Sequence, residues 1–101
     1  MANEFKNYKG VGITSNSVVF TGPADTQATI IGLTVANTGS NTAVASVKLG
    51  SAHLVKDVEI PLGSSVVVVG GNQKVVAMAG DTISVESDVL VDAVISTLEI
   101  S

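Results

Sequence analysis

The chain has 101 residues, 46% of them hydrophobic, 14% charged and 3% aromatic, with a formal net charge of -4. That length suits one domain with its own core, and no cysteine is present to form a disulfide, a thiolate metal site or a cysteine nucleophile. The five cations are all lysines, scattered at Lys6, Lys9, Lys48, Lys56 and Lys74, so a nucleic-acid partner is not expected. No membrane span is expected either, because polar residues interrupt the uncharged stretch from Thr26 to Val47.

The opening segment, "MANEFKNYKG", is polar and has no apolar h-region, so no signal peptide is expected. It holds Phe5 and Tyr8, two of the three aromatic residues, without a strand pattern of its own. Residues 1–10 therefore read as an N-terminal arm, and residues 11–101 as the folded domain. Phe5 and Tyr8 either anchor the first strand in the core or reach a neighbouring subunit, as interface aromatics do. An arm of this kind is expected to be dispensable for folding.

"VGITSNSVVF" reads as a strand with a break at Ser15–Ser17, and "TGPAD" as the turn after it. "TQATIIGLTVAN" alternates, with Ile31, Leu33 and Val35 facing the core and Gly32, Thr34 and Ala36 facing away. "NTGSN" is a turn. "TAVASVKLGS" places Ala43, Ala45, Val47 and Leu49 on one face. "LVKDVEIP" places Leu54, Val58 and Ile60 on one face and ends at Pro61. "SSVVVV", apolar on both faces, suits a central strand, and "QKVVAM" is the next. In "TISVESD", Ile83 and Val85 oppose Thr82, Ser84 and Glu86. In "VLVDAVISTLEIS" the spacing of Leu90, Val94, Leu98 and Ile100 also fits a helix. Its β-branched residues and the alternation of Val91, Ala93 and Ile95 favour a strand. Seven to eight short strands with turns between them predict an all-β fold: a single antiparallel β-sandwich, immunoglobulin-like or jelly-roll-like.

"VVVVGGNQKVV" raises the question of a phosphate-binding loop. Such a loop is followed by a helix whose N-terminal N–H groups meet the anion. Here "KVVAM" continues as strand, so Gly70, Gly71 and Asn72 are expected to form a hairpin turn. The only histidine, His53, has Asp57, Ser51 and Ser64 as possible partners, but no ordered triad pattern surrounds them. Asp81, Glu86, Asp88 and Asp92 have strand spacing rather than that of a calcium loop, and read as a solvated acidic rim. No catalytic residue, metal or cofactor is expected.

"TQATIIGLTVANTGS", "LVKDVEIPLGSSVVVVGGNQKVV", "AGDTISV" and "DAVISTLEIS" together resemble small β-sandwich structural proteins of tailed-bacteriophage virions. The resemblance covers about residues 20–101 and carries no catalytic motif. It implies a multi-copy, non-enzymatic virion component: a capsid decoration or cement protein, or part of the neck or tail. Its implied partners are its own copies, as a homo-oligomer, and other virion proteins such as the major capsid, portal or tail proteins. The alternative is an immunoglobulin-like module that binds carbohydrate on a host surface.

Overall fold

The computed structural model describes residues 3–70 and 73–100. Among them are nine strands: β1 (Asn3–Ile13), β2 (Ser17–Thr21), β3 (Gln27–Asn37), β4 (Ala43–Leu49), β5 (Ala52–Ile60), β6 (Ser65–Val69), β7 (Val75–Ala77), β8 (Thr82–Ser87) and β9 (Val91–Ile100). They form two antiparallel sheets, one ordered β1-β9-β3-β6 with β7 also on β3, the other β2-β8-β4-β5. The fold is the expected all-β sandwich. Its strand count passes seven to eight because the break in "VGITSNSVVF" is a crossing between sheets: β1 belongs to the first sheet and β2 to the second.

The inward rows of the two sheets meet in an aliphatic core. Leu33, Val35, Val47, Ile83 and Val85 are fully buried, as alternation predicts, together with Ile30, Ile60, Ile95 and Phe20. Ile31 is the exception. The register of β3 against β9 shifts between Ile30 and Gly32, so Ile30 takes the core position and Ile31 turns outward. A bulge adds one residue to one strand, and this reverses the phase of alternation on either side of it. In β9 the inward row is Val91, Ala93, Ile95, Thr97 and Glu99, all buried, which settles the segment as strand.

Residues 3–10 do not stand apart. They pair residue for residue with β9, from Asn3 opposite Ile100 to Gly10 opposite Ala93. The expectation of a separate arm failed because an edge strand with one solvent-facing side needs little apolar alternation. The segment is paired into the sandwich, and a chain starting at Lys9 would lose most of this pairing together with Tyr8, so it should be less stable than the full chain. The regular pairing ends at a register shift between Gly10 and Ile13, where Gly12 has φ +68°, a conformation costly for any residue with a Cβ.

The expected hairpin at "GGNQ" is also different. β6 pairs with Leu33–Ala36 and β7 with Ala28–Ile30 of the same strand. Both run antiparallel to β3, so they lie end to end along one edge and are not the two arms of a hairpin. The Gln73 amide donates to the Gly70 carbonyl at 3.2 Å. Gly71 and Asn72, assigned to the turn from sequence, lie outside the described residues.

At the other end of β3 the "NTGSN" turn is fastened by Asn37, which is buried. Its side-chain amide donates to the carbonyls of Asn41 and Ile60, at 2.7 and 2.9 Å, and its carbonyl oxygen accepts from the Gly39 amide at 2.9 Å. Asn37 thereby ties the end of β3 to β5 in the opposite sheet. Leu33 has no such polar role and lies at the centre of the core. Leu33→Ala should lower unfolding free energy by about 2–5 kcal/mol, read as a shift in the urea midpoint with little change in slope.

Candidate functional site

The most connected polar side chains lie at one end of the first sheet, where β1 meets β9. Tyr8, Lys6 and Glu4 of β1 face the same side as Ile95, Thr97 and Glu99 of β9, their cross-strand partners. Glu99 is buried although it is charged. A buried carboxylate needs hydrogen bonds and a countercharge to offset lost hydration, and Glu99 has both. The Tyr8 hydroxyl donates to its Oε2 at 2.5 Å, and the Thr97 hydroxyl donates to the same oxygen at 2.9 Å. Lys6 Nζ lies 3.8 Å from Oε1. The Tyr8 ring packs edge-on against Phe20, with centroids 4.8 Å apart and planes at 78°.

The Tyr8 hydroxyl is pushed up to about 12, first by burial, then by its hydrogen bond to Glu99 and by the negative charges of Glu99 and Glu4. All these causes disfavour the phenolate. The cluster is a clasp between two strands, with its carboxylate engaged by the protein's own hydroxyls rather than presented to a substrate.

Phe5 and Tyr8, grouped as interface candidates from sequence, are separated by the pleat. Tyr8 points inward and acts as a core anchor. Phe5 points outward beside Leu98 and is 76% exposed. It is one of several apolar groups on the outer face of this sheet. One cross-strand row runs Phe5, Leu98, Thr29, Val76, and another runs Lys9, Val94, Thr34, Val67. Val94, Val67 and Val76 are exposed, Leu98 and Ile31 half-buried. A shallow cleft of about 280 Å³ lies between Phe5, Asn7, Ile31 and Ser96 on this face.

The second sheet carries a larger open cleft, of about 380 Å³, lined in part by Ser46, Asp57, Glu86 and Asp88. Its polar groups are engaged locally. The Asp57 amide donates to Ser46 Oγ at 2.9 Å, and Asp88 Oδ1 accepts from the Val44 amide at 2.8 Å. Asp57 occupies a left-handed backbone position, φ +51°, where β5 bulges away from β4. His53 is exposed opposite Lys48, and Ser64 closes a turn on the Pro61 carbonyl. His53, Asp57, Ser51 and Ser64 are therefore not assembled into a relay: Asp57 is engaged with Ser46.

The four carboxylates expected as a rim are distributed one by one. Asp81 accepts from the Met78 amide and Asp92 from the Gly12 amide, each at 2.9 Å. Asp88 holds β4, and only Glu86 projects freely into the cleft with Asp57 and Asp88 beside it. Among the described residues no three histidine, aspartate or glutamate side chains are placed to hold a metal ion. The sequence did not single out Glu99. The signal lay in the β9 alternation, which places it on the inward row two positions after Thr97.

The class defined by these observations is a two-sheet antiparallel β-sandwich with a polar clasp at one edge and an outer face on which exposed Phe5, Val67, Val76 and Val94 stand among polar side chains. Compared with known proteins, the chain matches no family, no curated protein and no solved structure.

The clasp predicts an alkaline transition. A group whose folded pKa lies above its unfolded value contributes stability that is fully present below the unfolded pKa and lost as pH rises through the folded one. For Tyr8 that window runs from about 10 up to about 12. Because the chain has a single tyrosine, tyrosinate absorbance reads Tyr8 alone. Its midpoint should lie near 12 in the folded protein and near 10 in urea, and Tyr8→Phe should flatten the fall in melting temperature across that window relative to the parent.

Proposed function

We propose that this protein is a non-enzymatic structural subunit of a tailed-phage virion. In this reading it decorates or cements the capsid, or forms part of the neck or tail. It acts by self-association and by docking on other virion proteins such as the major capsid, portal or tail proteins. The observation that carries the proposal is the outer face of the first sheet. Phe5, Val94, Val67 and Val76 are exposed there across several strands, in a chain with only 14% charged residues. Several exposed large apolar side chains, an aromatic among them, on one sheet face are what a surface covered by another protein presents. The resemblance of residues 20–101 to small virion sandwiches supplies the setting.

The carbohydrate-binding alternative draws less support. Sugar platforms use exposed aromatic rings, and of the three aromatics Phe20 is buried and Tyr8 is packed against it. Only Phe5 is open to solvent.

The test is co-purification. The protein should sediment with intact particles in a fixed ratio to the major capsid or tail protein. Val67→Lys, an exposed outward position opposite Thr34, should leave stability within about 0.5 kcal/mol and reduce incorporation several-fold. Absence of the parent protein from purified particles would overturn the proposal.

A further inference from the structure

The sandwich has four edges, and three of them are guarded. β2 is five residues long and its register shifts between Val18 and Phe20. β5 is interrupted twice against β4 and carries Asp57 in a left-handed conformation. β6 and β7 are two separate short strands, of five and three residues. Short, bulged and broken edges resist pairing with another chain. β1 differs from all three. It is eleven residues long and holds an unbroken register from Asn3 to Gly10, with its only shift beyond that run. Its outer edge presents a row of backbone donors and acceptors with no partner strand among the described residues.

The charges on this run are also unbalanced. Glu4 lies directly opposite Glu99 across the β1–β9 pair, and like charges so placed repel. The one cation on that side, Lys6, is already engaged with Glu99. Glu4 therefore has a carboxylate on its inner flank and an open edge on the other.

We propose that two copies of this chain pair through β1, antiparallel and about a two-fold axis at Phe5, so that the two first sheets become one. The proposal rests on the self-association reading above and supplies its surface and register. A two-fold axis normal to the sheet keeps inward residues opposite inward residues, so the axis passes through a residue position. Centred on Glu4 or Lys6, the register opposes like charges. Centred on Asn7, it opposes Lys6 to Tyr8 and Glu4 to Gly10, and so forms no ion pair. Centred on Phe5, it sets each Glu4 opposite Lys6 of the second copy, twice by symmetry. It also brings the two exposed Phe5 rings together on the outer face, a favourable cross-strand aromatic pair.

The test uses the full chain and two single reversals. Glu4→Lys opposes two lysine side chains at both symmetric positions, and Lys6→Glu opposes two carboxylates. Each variant alone should dimerise on the order of tenfold more weakly than the parent by sedimentation. An equimolar mixture restores both opposite-charge pairs and should recover parental dimerisation. Melting curves establish that each variant folds. Because the chain has no cysteine, a second measurement is independent of the charges. Phe5→Cys should form a disulfide-linked dimer under mild oxidation, since directly opposed positions lie within disulfide reach. Asn7→Cys should not, because its two copies would be about 13 Å apart along the strands. A mixture no tighter than its components, or cross-linking at Asn7 rather than at Phe5, overturns the register. A parent that is monomeric in solution yet present in particles overturns this pairing and leaves the virion reading standing. A parent that dimerises as described but is absent from particles does the reverse.

Discussion

The structure depends on β9 being paired along its whole length on both sides. Its ten residues meet β1 on one side and β3 on the other, and its inward row closes the core with Val91, Ala93 and Ile95. A strand held in this way has its backbone groups satisfied within the sheet, so burying it costs little in lost hydrogen bonds to water. The same constraint brings Glu99 under cover. The inward row continues past Ile95 to Thr97 and Glu99, and once the strand is fixed, the carboxylate must be accommodated where it falls. Tyr8, Thr97 and Lys6 provide for it, and in doing so they fasten β1. Removing any of them leaves a buried charge short of a partner, which is costlier than the contact itself is stabilising.

From this follows the shape presented to a partner. With β1 built into the sheet, its edge and the outer face are preformed rather than ordered on binding. A flexible arm would lose conformational entropy at the moment of docking; a seated strand has lost it already on folding. Phe5 shows the difference. On a loose arm it would be a mobile hydrophobic tip. On β1 it is a fixed element of a surface continuous with Leu98 and Val76, and its placement depends on the Tyr8 clasp on the opposite side of the same strand.

Much of the fold was legible in the sequence because alternation has a period of two and one buried face. Leu33, Val35, Ile83 and Val85 show this: each keeps the alternating phase of its segment and each is buried. Legibility failed where the pairing is irregular. Ile31 has the same apolar character as Ile30, and only the bulge decides which of them faces inward. β1 was missed because an edge strand with polar residues on both sides carries no alternating signal. "GGNQ" has the composition of a hairpin turn. That β6 and β7 share one partner strand follows from tertiary pairing, which composition does not encode. Of the candidate site, Phe5 and Tyr8 were visible as unusual aromatics, but their opposite orientations follow from the pleat once β1 is known to be a strand. Glu99 reads as a terminal surface charge until its neighbours on β1 and β3 are placed.

Native-state hydrogen exchange of the β9 amides tests this account most directly. These amides point alternately toward β1 and toward β3. If β1 is an integral strand, both sets should exchange only through global unfolding, with equal free energies from Ala93 to Glu99. Exchange of the β1-facing set at much lower free energy, with the β3-facing set still protected, would show that β1 detaches as an arm and would contradict the account.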